Sequence, residues 1–170
     1  MVFLWNWVPN RKERKELDAV IKPANGQERK ALRQFGKAAS KGALSLAMSE
    51  YSRNALEKAL VETALPSARK GVKVRVYLSP YVPPGLKLDG KMFPALSTLL
   101  LVSGTKSYGG QDMLLQVNYG NGKLTVEMPS MVPLSVLENR LVKSAAGVLS
   151  GKVELTPRNH TKLTLQSEKA

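Results

Sequence analysis

Cysteine is absent from the 170 residues. That excludes a disulfide framework, a thiolate metal centre and a cysteine nucleophile, and it suits a reducing compartment. Histidine occurs once, at His160, so a multi-histidine metal cluster is excluded as well. Aspartate occurs only at Asp18, Asp89 and Asp112, without the paired spacing of acid–base catalysis or a calcium loop. Aromatic residues make up 6%, too few for an extended base-stacking platform. No apolar run approaches the roughly 18–20 residues of a membrane span. At the N-terminus the apolar patch precedes the positive charges, the reverse of a secretory signal.

Acidic residues are also scarce against basic ones. Lys and Arg number 26 and Asp and Glu 13, for a formal net charge of +13. The excess is dispersed, since residues 1–70 hold 14 basic and 7 acidic side chains and the remainder 12 and 6. A spread of this kind suits a broad face for polyanions: RNA, DNA or an anionic membrane surface. The strongest candidates are Arg29, Lys30, Arg33, Lys37 and Lys41 on one predicted helix, with Lys73 and Arg75 on a predicted strand. An ordinary solvated face has the same look residue by residue. The set stands out because few acids lie near it.

The clearest local pattern runs from Gln111 to Met128. Met113, Leu115, Val117 and Tyr119 alternate with polar residues, Gly120-Asn121-Gly122 interrupts, and Leu124, Val126 and Met128 resume. Period two on both sides of a short Gly/Asn turn predicts a β-hairpin with one apolar face. Gln27 to Lys41 reads as a helix on a Leu32, Phe35, Ala39 stripe. Leu44, Ala47, Met48, Tyr51, Ala55 and Ala59 predict a second helix running to Pro66. Val72, Val74 and Val76 predict a strand, and Ser79 to Gly90 a proline-rich loop. Phe93 to Val102 suits a buried strand or a helix, with helix favoured. Pro133 to Val148 predicts a helix, and Val153–Leu155 and Thr161–Gln166 a second hairpin turning at Arg158-Asn159-His160. The expected class is α+β, an antiparallel sheet of hairpins covered on one face by amphipathic helices. Residues 1–22 form an aromatic and basic arm, and residues 23–170 a single domain.

Catalytic motifs fail on inspection. Gly104-Thr105-Lys106-Ser107 lacks the glycine directly before lysine that a phosphate loop requires. Gly120-x-Gly122 joins two strands and lacks the third glycine of a dinucleotide fingerprint. No Gly-x-Ser-x-Gly elbow accompanies His160. These failures predict a protein that is not an enzyme, with no cofactor and no metal.

Met1 to Val8 holds both tryptophans, followed by Arg11-Lys12-Glu13-Arg14-Lys15. Aromatics beside a basic cluster suit contact with an anionic bilayer. Docking of Phe3, Leu4, Trp5 and Trp7 on the core or on a neighbouring subunit is the alternative. On Phe3-Leu4-Trp5-Asn6-Trp7 and the cluster Arg11, Lys12, Arg14 and Lys15, the chain resembles the small basic matrix proteins of negative-strand RNA viruses, the rhabdovirus type especially. Tyr81-Val82-Pro83-Pro84 departs in order from the Pro-Pro-x-Tyr motif of such families. The resemblance implies a structural protein of the virion and host cytoplasm, peripheral to the membrane. Its partners would be RNA or a nucleocapsid, an anionic membrane surface and further copies of itself. A coat or RNA-packaging protein without membrane contact is the alternative.

Overall fold

The computed structural model describes residues 10–23, 25–42, 46–63, 72–106 and 108–169. The aromatic segment with Phe3, Leu4, Trp5 and Trp7 lies outside the described residues. Helices α1 (Arg11–Ile21) and α2 (Gly26–Lys41) come first. Asn25 caps α2, its side-chain oxygen accepting from Glu28 N–H at 2.9 Å. Strand β1 (Met48–Ser52), helix α3 (Arg53–Thr63), strands β2 (Lys73–Leu78) and β3 (Gly85–Asp89) and helix α4 (Met92–Thr105) follow. The second half runs β4 (Asp112–Gly120), β5 (Lys123–Met128), α5 (Leu134–Leu137), α6 (Arg140–Val148), β6 (Gly151–Leu155), β7 (Thr161–Gln166) and β8 (Glu168–Lys169).

A five-stranded sheet has the order β2-β4-β5-β7-β6, and a small one the order β1-β3-β8. The hairpin β4–β5 forms as its alternation requires. Asn121 and Gly122 both have positive φ, 54° and 74°, the backbone that a two-residue turn needs to match the strand twist. Met113, Leu115, Val117, Leu124 and Val126 point into the core while their neighbours stay at the surface. Class α+β therefore holds, but the sheet is mixed. β2 pairs with β4 in parallel, Val74 opposite Met113 and Val76 opposite Leu115. Parallel neighbours need a long crossover, and residues 79–111 supply it with α4.

Helix α4 is buried almost throughout, from Met92 and Phe93 to Gly104 and Thr105. Leu60 of α3 and Leu100 and Leu101 of α4 meet Leu115, Val126 and Leu163 of the sheet. Helix α2 packs on α4 and α6 and brings Leu32, Phe35 and Ala39 to the core. A helix covered from two sides is apolar all round and loses its stripe, which is why Phe93–Val102 reads equally as strand or helix. Leu17 and Ile21 of α1 also belong to the core. Asn139 caps α6 through Leu141 N–H at 2.9 Å and donates to the Glu13 carbonyl at 3.0 Å, tying α1 to the body.

Two expectations fail locally. Of the helix expected from Leu44 to Pro66, Met48 to Ser52 instead form β1 and pair with Asp89 to Gly85, while Leu44 and residues 64–66 lie outside the described residues. The proline-rich loop expected over 79–90 contains β3, which lies between β1 and β8. The two segments are tied together at one residue. Asp89 is 2% exposed and accepts from the N–H groups of Ala47, Lys91 and Met92, so one carboxylate joins the start of β1 to the end of β3 and the first turn of α4.

Candidate functional site

Two segments that follow regular elements come together beside the end of α4. Tyr108 and Gly109 lie just past α4, and Pro129 to Pro133 follow β5. Between them is a cleft of about 520 Å³ lined by Tyr108, Gly109, Pro129, Ser130, Met131 and Pro133. The wall is held by backbone. Thr161 Oγ1 donates to the Ser130 carbonyl at 2.8 Å and accepts from Val132 N–H at 3.0 Å. The Tyr108 hydroxyl donates to the Asp112 carbonyl at 2.5 Å. Met131 is 44% exposed, an apolar side chain at the rim.

Ser130 is 7% exposed, and among the described residues its Oγ has no hydrogen-bond partner. A buried hydroxyl left unpaired costs about 1–3 kcal/mol. That oxygen lies inside the wall, packed toward Gly104 of α4 and Met128, and not on the cleft surface. The lining is otherwise apolar or aromatic, the composition of a site for a flat organic ring. Among the described residues no cluster of three or more His, Cys, Asp or Glu is placed to hold a metal.

The basic residues singled out from the sequence are divided between two faces. Arg29, Lys30, Arg33, Lys37 and Lys41 are all exposed on α2 and stay together. Arg11, Lys12 and Lys15 are exposed on α1, and Arg14 is half-buried over Gly36 of α2. Lys73 and Arg75 lie on the open face of the sheet, away from the helices, where Arg75 pairs with Asp112 at 3.3 Å. That face is balanced by further pairs, Lys152 and Lys162 with Glu154. His160 Nδ1 lies 3.1 Å from Glu127 Oε2, a tie between the last turn and β5. Tyr108 shares no motif with Ser130 and Met131, which lie 22 and 23 residues further on. The two prolines that bracket Ser130 and Met131 just past a strand are the only local signal.

No protein-family model matches the chain, and no curated protein matches it in sequence. Its fold is nevertheless shared with solved structures. The Acinetobacter baumannii histidine kinase AdeS superposes with a TM-score of 0.56 at 11% identity, over 95% of this chain and 94% of that one. The nucleotide-free catalytic domain of the histidine kinase ThkA gives 0.54 at 10% identity, over 74% and 100%. Full-length ShkA in complex with AMPPNP gives 0.53 at 14% identity, over 94% and 45%.

These likenesses correct the functional expectations. The resemblance to a rhabdovirus matrix protein is overturned, because the matching structures are histidine kinases and the whole layout of sheet and helices goes with them. The viral structural role, the virion location and the coat-protein alternative fall with it. So do RNA, nucleocapsid and an anionic membrane as its partners. The expectation of a non-enzymatic protein is overturned as well, since the fold is one used by kinase catalytic domains. Charge and a terminal aromatic patch misled because neither reports on topology. Among the described residues, no helix is long and apolar enough to cross a membrane.

Proposed function

We propose that this chain is an adenine-nucleotide-binding domain of the histidine-kinase catalytic type, with the base held in the cleft between Tyr108 and Ser130. The observation that carries the reading is a cleft of about 520 Å³ with Tyr108 on one side and Pro129, Met131 and Pro133 on the other, an aromatic and apolar lining. The base would bury its faces against Tyr108 and Met131. The fold supports the reading at one remove, since ShkA was solved with AMPPNP. The residues present fit the base end of the ligand. None of the cleft-lining side chains is basic, and Lys106, close in the chain to Tyr108, is engaged with Glu28 and the Lys22 carbonyl. When bound, the nucleotide would supply the phosphoryl group. The chain's described residues bind the base and exclude water from it.

The test is calorimetric titration of the full chain with ADP, ATP and GTP. ADP and ATP are expected to bind with similar affinity and GTP more weakly. Tyr108→Ala should weaken ADP binding by about tenfold or more, the worth of one base–aromatic stack of about 1–3 kcal/mol, with the melting temperature measured beside it. No heat of binding at millimolar ADP, or an unchanged affinity in Tyr108→Ala, overturns the reading.

A further inference from the structure

Helix α2 presents its cations with no acid among them. Its one acidic residue, Glu28, is turned fully inward, so the outer face of the helix is uniformly positive. Between α2 and α4 runs a groove of about 480 Å³. Its floor includes Ala31, Ala38 and Ala95, and its rim carries Lys37, Lys41 and Lys91. The three lysines are exposed. Among the described residues none of the ion pairs involves them. Asp89, the acid nearest in sequence to Lys91, is spent inside on backbone N–H groups.

We infer that this groove docks an acidic amphipathic helix from a partner protein. Small side chains on the floor let another backbone come close, the geometry of helix-in-groove recognition. Ala31 and Lys41 are ten residues apart on α2, which spans about 15 Å, or nearly three turns of a docked helix. One phosphate group would meet only part of that length. Lys37 and Lys41 are one turn apart and match carboxylates at i and i+4 on the incoming helix. The apolar face of that helix covers the alanines, and its acids meet the lysine rim from one side. Charge of one sign also speeds encounter with such a partner. Nothing in the groove depends on the nucleotide cleft, which lies past the opposite end of α4.

The probe is a fluorescein-labelled peptide of about 14 residues with Glu along one helical face and Leu and Ala along the other. Fluorescence anisotropy with the full chain should show saturable binding, and a scrambled peptide of equal composition should bind at least about tenfold more weakly. Lys37→Glu with Lys41→Glu should weaken binding by about tenfold or more. Arg29→Glu with Arg33→Glu, the same charge change on the same helix but more than a quarter turn round its axis from the groove, should weaken it by less than about threefold. Ala38→Trp, which fills the floor, should abolish it. All the charge variants alter exposed side chains, so their folding is checked by an unchanged melting temperature. Equal losses in the two charge pairs, or equal binding of the scrambled peptide, would overturn the proposal. So would displacement of the bound peptide by polyglutamate, by a short RNA or by phosphatidylserine vesicles as readily as by unlabelled peptide.

Discussion

Gly104 in α4 and Ser130 after β5 approach so closely that a β-carbon on Gly104 would sit 2.8 Å from Ser130 Oγ. It would sit equally close, 2.8 Å, to Met128 Sδ. Glycine inside a helix normally costs about 1 kcal/mol relative to alanine, so Gly104→Ala should stabilise on propensity alone. Overpacking a tight interior costs about 1–3 kcal/mol, and here it prevails. Gly104→Ala is expected to lower the urea midpoint. Adding Ser130→Ala removes the oxygen in the way and should recover part of the loss. A double-mutant cycle showing simple additivity would mean the two residues do not touch.

Glu28 and Lys106 supply a second test. Their Oε1 and Nζ lie 3.6 Å apart, with the Glu28 side chain 1% exposed and that of Lys106 22%. The pair joins the first turn of α2 to the end of α4. Breaking a buried pair from one side leaves an uncompensated charge, at about 3–5 kcal/mol. Lys106→Met should cost in that range, while Glu28→Gln with Lys106→Met should cost less than Lys106→Met alone. The ordering of the two variants in chemical denaturation is the measurement, and the reverse order would show that the pair is not buried as described.

Tyr51 sets the response to alkaline pH. Its ring meets Phe93 edge-on at 6.4 Å. Burial, and secondarily the Asp89 carboxylate, raise its phenol above the ordinary value of 10.0. The folded protein therefore keeps a proton that the unfolded chain gives up, and stability falls as pH rises past the ordinary value towards the raised one. Below the ordinary value the contribution is fully present. Lysines titrate in the same range, so the comparison is with Tyr51→Phe, which should lose stability less steeply between about pH 9 and 11. Parallel curves for the two proteins would rule the effect out.

How far the sequence carries depends on where information is stored. The β4–β5 hairpin was legible because alternation and Asn121-Gly122 are local facts. Strand β1 was not, because Met48 and Tyr51 fall in step with Ala55 and Ala59 and read as one helix. Only the distant pairing of Tyr51 with Leu86 decides otherwise. Strand β3 was hidden behind Pro83 and Pro84. The parallel register of β2 on β4 has no local signature at all. The exposed cations of α2 were legible as a set, whereas the cleft was not, because it exists only once Thr161 has fixed the Ser130 loop opposite Tyr108.

Arg53 gives the sharpest test of the non-local architecture. From the start of α3 its guanidinium donates through Nη1 to the carbonyls of Ser79 at 3.0 Å and Val82 at 2.6 Å. Nη2 reaches the Leu78 carbonyl at 3.4 Å. These carbonyls end β2 and begin the crossover to β3, where prolines leave few N–H groups to pair with them. A planar fork reaches several carbonyls at once, and an ammonium on a flexible stem does not. Arg53→Lys keeps the charge yet should still cost about 1–3 kcal/mol, since it loses charge-assisted bonds at a half-buried site. Hydrogen exchange should then quicken at Ser79 and Val82, whose N–H groups are bonded to the Val117 and Ser79 carbonyls, while β5 and β7 keep their protection. If Arg53→Lys is as stable as the parent and exchange in the crossover is unchanged, the guanidinium is not what holds the loop, and the turn into β3 must be fixed by its prolines alone.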